Sequence, residues 1–189
     1  VEGGVGHLAI SPQEILLVGS HSGDLHGHER LGGHRWSHHL GGGCDHMAVA
    51  PKGDLVAVID GARLLHLLTS SGRLLCHHSG GELGRLAVAD NGEVAAVADD
   101  EGTVTVVERN GTIRYTRPAR GEQGERVTAL SFLADGHLVI ARESLDVTIG
   151  EEEEIVIEWW NPLGQEVGRT TLRQRCEVLE ATESGVLAG

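Results

Sequence analysis

Twelve histidines stand in this chain of 189 residues, and half of them, His21, His26, His28, His34, His38 and His39, fall between positions 21 and 39. Imidazole nitrogens suit zinc, nickel or copper. His26 and His28 lie two apart in a predicted strand, so they share a face at about 7 Å. His34 and His38 are expected to share a face on the following strand. Pairing of the two strands would bring the four together as candidate metal ligands. A metal site also needs groups behind its ligands to orient them, and the spacing matches no metal motif. The competing reading is a solvated strand face. Alignment of the repeats described below supports it: His26 falls opposite His66 and Thr105, and His38 opposite His78 and Arg117.

Two further groups could recognise a partner. Glu151, Glu152, Glu153 and Glu154 are expected on an enlarged hairpin between Ala141 and Ile155, either as an acidic knob for a basic partner or cation, or as a solvated tip screened by water and salt. Trp159 and Trp160 point to opposite faces of a regular strand, so one belongs to the core and the other is the more exposed. An exposed tryptophan on a rim would make an interaction hot spot; packing against a neighbouring unit is the alternative. Cys44, Cys76 and Cys176 are odd in number, with no paired C-x-x-C spacing. Cys44 and Cys176 read as a small buried position shared by the repeats, and the three cysteines as a reducing, cytoplasmic interior. No nucleophile elbow, phosphate-binding loop, dinucleotide fingerprint or H-E-x-x-H is present. The expectation is a chain that is not an enzyme and carries no cofactor.

Composition limits the partners. A formal net charge of −13, with Lys52 the only lysine, argues against contact with a phosphate backbone. An acidic, lysine-poor balance fits salt adaptation or a GC-rich genome. No apolar run approaches the ~18 residues of a membrane-spanning helix, so no membrane partner is expected. Aromatics are 3% of the chain, which leaves Val, Leu, Ile and Ala to fill the core, and 28 glycines suit many tight turns.

The elements that must position these residues come from a repeat. His46-Met47-Ala48-Val49-Ala50-Pro51-Lys52-Gly53-Asp54-Leu55-Val56-Ala57-Val58 is echoed by Arg85-Leu86-Ala87-Val88-Ala89-Asp90-Asn91-Gly92-Glu93-Val94-Ala95-Ala96-Val97. The same pattern opens the chain at His7-Leu8-Ala9-Ile10-Ser11-Pro12, returns at Ala129–Ile140, and starts again at Val178–Leu187. The anchors Leu8, Met47 and Leu86 are spaced by 39 residues; Leu130 follows after 44 and Leu179 after 49. Within a copy, short apolar stretches alternate with Gly turns such as Asn91-Gly92 and Asn110-Gly111, the residues that hairpins use. Helical periodicity is absent. The chain reads as one all-β region with repeats at approximately 1–40, 41–79, 80–120 and 121–173, and a partial fifth at 174–189.

Over essentially its whole length the pattern resembles WD40-like and related β-propeller repeats, which place a Trp-Asp or similar pair before the turn to the outer strand. Ile157-Glu158-Trp159-Trp160-Asn161-Pro162-Leu163-Gly164 comes nearest. The other copies carry Thr69-Ser70 and Glu108-Arg109 there. The resemblance implies blades of four antiparallel strands around an axis, and a scaffold for protein partners; the alternatives are a metal-dependent propeller hydrolase or lyase with His and acidic ligands, or a small-ligand sensor domain. Because the fifth copy stops near its second strand, the expectation is part of a longer chain, or a ring completed by blades from the same or another chain.

Overall fold

The computed structural model describes residues 4–121, 124–144, 155–173, 179–182 and 185–188. Each of the first four repeats makes one four-stranded antiparallel sheet with its strands in chain order. Blade 1 holds β1 (Val5–Ile10), β2 (Leu16–Ser20), β3 (Asp24–His28) and β4 (His34–His39). Blade 2 holds β5 (Cys44–Val49), β6 (Val56–Asp60), β7 (Leu64–Leu68) and β8 (Leu74–Ser79). Blade 3 holds β9 (Leu83–Val88), β10 (Val94–Asp99), β11 (Val104–Glu108) and β12 (Ile113–Arg117). Blade 4 holds β13 (Glu125–Phe132), β14 (Leu138–Ser144), β15 (Ile155–Trp160) and β16 (Glu166–Leu172), after which β17 (Leu179–Thr182) and β18 (Gly185–Ala188) pair as a two-stranded sheet. Among the described residues, no helix is long and apolar enough to cross a membrane.

Polar residues set the turns. The residue ending the second strand caps the next strand by accepting the N–H four residues on: Ser20 Oγ from Asp24 at 2.8 Å, Asp60 Oδ1 from Leu64 at 3.0 Å, Asp99 Oδ1 from Thr103 at 2.7 Å. The outer hairpins each close on a glycine at positive φ, namely Gly32, Gly72, Gly111 and Gly164, which return an N–H to the carbonyl three residues earlier.

First strands of successive blades lie side by side, β1 against β5, β5 against β9, β9 against β13 and β13 against β17. The blades therefore stack face to face, and the core is a series of interblade layers. Met47, Val49, Val56, Val58, Leu68 and Leu74 of blade 2 pack on Leu17, Leu25 and Leu40 of blade 1. Its other face, with Ala57, Ile59, Leu65 and Leu67, receives Leu86, Val88, Ala95, Val97 and Val107 of blade 3. Leu130, Phe132, Leu138, Ile140 and Trp160 of blade 4 cover Ala96, Ala98, Val104 and Val106 in the same way, and Leu179 closes on Ala141, Ile155 and Ile157. Burial on both faces explains why the second strands are almost wholly apolar.

Candidate functional site

Blade 1 offers the same face that blades 2, 3 and 4 bury, but nothing in the described chain covers it. Leu8 and Ile10 are 64% and 71% exposed. Their counterparts in register, Met47 and Val49, Leu86 and Val88, Leu130 and Phe132, all pack between blades. The outer hairpins repeat the contrast. Trp36 of blade 1 lies across Gly72 of blade 2, and Tyr115 of blade 3 across Gly164 of blade 4, each closely enough that a Cβ would collide with the ring; Cys76 of blade 2 sits against Gly111 of blade 3. Trp36 Nε1 also donates to the Ser70 carbonyl at 3.0 Å. Gly32 of blade 1 has the same positive φ, and nothing approaches within 4 Å of where its Cβ would stand. An open groove of about 280 Å³ lined by Ile10, Glu14, Leu16 and Arg30 runs along this face.

Three of the four expected ligands meet on the same face. The His26 ring lies 6.1 Å from His28 and 5.9 Å from His34, with His28 and His34 5.5 Å apart. Ser37 Oγ bridges His26 Nδ1 and His34 Nε2, each at 2.8 Å. Burial holds the His26 imidazole below its ordinary pKa against the pull of Asp24, and His28 and His34 add to the lowering.

His38 does not join them, which corrects the expectation that it shares a face with His34. The β3–β4 register shifts between Gly27 and His28, leaving Arg35 unpaired. One inserted residue moves every side chain beyond it to the opposite face. His38 therefore points to blade 2, where its ring lies 5.8 Å from His66.

His38 and His66 belong to a polar seam that crosses every interblade layer. The seam is formed by third-strand positions His26, His66, Thr105 and Glu158 and fourth-strand positions His38, His78, Arg117 and Thr170, paired alike in their sheets. The solvated-face reading fails at two of these positions: His66 is 4% exposed and Arg117 is fully buried. Each faces a polar side chain of the adjoining blade instead of water. Arg117 reaches both oxygens of Glu158, at 3.2 and 3.3 Å, and contacts Glu125. Arg142 joins the same cluster, 2.9 Å from Glu158 and 2.8 Å from Glu125, and Trp160 Nε1 donates to Glu158 at 3.0 Å. Burial would raise the Glu158 carboxyl, but Arg117, Trp160 and Arg142 hold it below the usual range. Sequence reading missed this cluster, whose members come from β12 to β15; its one signal was a charged residue at 158, within an otherwise apolar strand.

Trp160 is buried in the layer against blade 3, and Trp159 is half-buried beside Leu172 and Gly168 on the far side of blade 4. Glu151, Glu152, Glu153, Glu154 and Cys176 lie outside the described residues. Cys44 is buried against Gly19, and burial, followed by Asp45 and Asp60, pushes its thiol up to about 11, so it stays protonated. Cys76 packs at the seam with blade 3. Among the described residues, no group of three or more His, Cys, Asp or Glu is set in metal-ligand geometry.

No protein-family model matches this chain, and no curated protein matches it. Solved structures do. A crystal structure of the WD40 repeats of RRP9 superposes with a TM-score of 0.66 at 15% identity, over 88% of this chain and 51% of that one. The fold is that of WD40-like propeller blades, and the chain spans about half the length of the structure it matches.

Proposed function

With a WD40-like propeller fold as premise, we propose that this chain is a non-catalytic scaffold for protein recognition, and that the uncovered face of blade 1 is where a protein surface binds. The observation that carries the reading is the difference between Leu8, Ile10 and Gly32 and their counterparts, which are packed in every other blade. Burying an aliphatic side chain contributes about 1.5–3 kcal/mol, so two exposed on one strand beside an empty glycine socket favour an occupant. The occupant that the repeat calls for is another four-stranded blade, from the same polypeptide or a second one, that sets a fourth-strand side chain on Gly32. The polar groups elsewhere serve turns and seams, which supports a scaffold over an enzyme.

The test is cross-linking mass spectrometry on complexes captured from native extract by the parent chain and by an Ile10→Asp variant. The expected result is a partner cross-linked through the carboxylates of the blade 1 face, such as Glu14 in its groove, that the variant no longer captures. A partner held equally by the variant, with cross-links on blade 4 instead, would overturn the assignment.

A further inference from the structure

At the end of the stack where the first strands begin, an open pocket of about 150 Å³ lies between blades 2, 3 and 4. Three guanidiniums line it, Arg63 from the β6–β7 turn, Arg85 from β9 and Arg126 from β13, together with the carboxylates of Glu82 and Asp100. Arg63 stands in a place that the repeat elsewhere gives to glycine. It is the third residue after Asp60, as Gly23 is after Ser20 and Gly102 after Asp99, and the three have φ of 62°, 97° and 91°. That conformation is strained for any residue with a Cβ. A Cβ at Gly102 would collide with the Glu125 carbonyl, and one at Gly23 would press on that of Gly42. Between blades 2 and 3 there is room for a side chain. Arg63 uses it to cross the gap, Nη1 donating to the Leu83 carbonyl at 3.1 Å. Strain held in one copy of a repeat points to a function.

The three guanidiniums differ in their partners. Arg126 pairs with Glu143, and Arg63 lies 4.0 Å from Asp45. Arg85 donates to two neutral acceptors, the carbonyls of Thr128 at 2.8 Å and Gly84 at 2.9 Å, which fix its plane without cancelling its charge. Among the described residues Arg85 has no ion pair, and neither have Glu82 and Asp100. The positive charge is felt nearby: burial, then Arg85, His7 and Arg63, hold His46 below its ordinary pKa against Asp45. Gly84 also lines the pocket. The β9–β10 register shift leaves it unpaired, and nothing approaches within 4 Å of where its Cβ would stand, so its backbone is open to a ligand.

We propose that this pocket binds a small zwitterion of the amino acid class, its carboxylate on Arg85 and Arg63 and its ammonium between Glu82 and Asp100. The charges of the lining select the class. Guanidinium forks match a carboxylate bidentately, but a bare anion would leave Glu82 and Asp100 opposed to it. A bare cation would meet three arginines. A ligand carrying both signs satisfies each, and a pocket of this size holds them on one small molecule. The charged side chains of the lining are exposed, so water and salt screen them and binding should weaken as salt is added. The site is separate from the open face of blade 1 and needs no occupant there.

The experiment is thermal denaturation of the full chain with each standard amino acid at millimolar concentration. Acetate and methylammonium serve as probes of the two halves, and NMR titration follows with any amino acid that shifts the midpoint. At least one should raise it and displace the Gly84 amide resonance, with acetate and methylammonium about tenfold or more weaker. Arg85→Gln should weaken binding to the same extent. Arg63→Gly restores the residue that the repeat prefers. It should therefore keep or raise the midpoint without ligand while losing about tenfold in affinity. An Arg63 with only a structural role would instead cost stability and leave binding unchanged. The proposal falls if no amino acid shifts the midpoint, or if acetate binds as tightly as the amino acid. It also falls if Arg63→Gly, or Glu82→Gln combined with Asp100→Asn, binds as tightly as the parent.

Discussion

Opposite Arg117, the fourth blade carries Glu158; opposite His38, the second carries His66. These are the same positions in the repeat, filled by two chemistries of different cost. A buried Arg–Glu pair loses two hydration shells, and the loss is recovered only with good geometry and further partners. Glu158 has them in Arg142 and Trp160, and Arg117 also donates to the Gly102 carbonyl. His38 avoids that cost by being held neutral, which makes the first seam sensitive to acid. His46 and His78, on the side of blade 2 that faces blade 3, are held below their ordinary values like His38, in each case first by burial. Facing His38 are His66 and His77 of blade 2, with His39 beside it and Asp60 behind His66. A folded-state pKa below the unfolded value means that the unfolded chain binds more protons in that window. Their contribution to stability is therefore complete above pH 6.5 and is lost as the pH falls through it. Urea midpoints measured in chelator should drop between pH 7.5 and pH 5.5, and less so in a His38→Phe variant. Equal midpoints at the two pH values would mean that these imidazoles do not enter the folded state neutral.

Each fourth strand carries one unpaired residue near its start, Arg35, Leu75, Arg114 and Val167, and the register shift at each is the same. The shift aims Trp36, Cys76 and Tyr115 at the glycine of the next outer hairpin, so strand and hairpin lock across the layer. Gly72→Ala and Gly32→Ala separate the two duties of that glycine. Both positions have positive φ, which costs a non-glycine residue about 1–2 kcal/mol. Only at Gly72 would the new methyl also meet Trp36, adding roughly 1–3 kcal/mol of overpacking. Chemical denaturation should find Gly72→Ala the more damaging; equal losses would mean that Trp36 moves aside freely. The strands, the Gly turns and the blade repeat were legible in the sequence because alternation and Asn-Gly pairs are local signals. The bulges were not, since Arg, Leu, Arg and Val share no type that marks an insertion. That single unseen residue put His34 and His38 on one face in the sequence reading. The interblade partners of His66 and Arg117 were hidden for a related reason: a repeat specifies what occupies a face, but not what lies across from it.

Stacked blades exchange energy only with their neighbours, so the molecule's stability should vary along the stack. Blades 2 and 3 are covered on both faces, and the apolar side chains of their second and third strands are almost entirely buried. Blade 1 is covered on one face alone, and beyond blade 4 the described chain continues only as the β17–β18 pair. The chain carries a formal net charge of −13, which opposes association of like copies at low salt. Amide exchange under native conditions should then be slowest in β6, β7, β10 and β11. It should be faster in β2 and β3, although these strands too are paired on both sides within their own sheet. Local opening follows the burial that each element adds, and one interblade layer holds blade 1 where two hold blade 2. Uniform protection across all four blades would refute this, because it would require blade 1 to unfold only with the rest, as if its outward face were no weaker than a covered one. With the graded pattern in hand, slowing of β1 to β3 on addition of a captured partner would report the filling of that face directly.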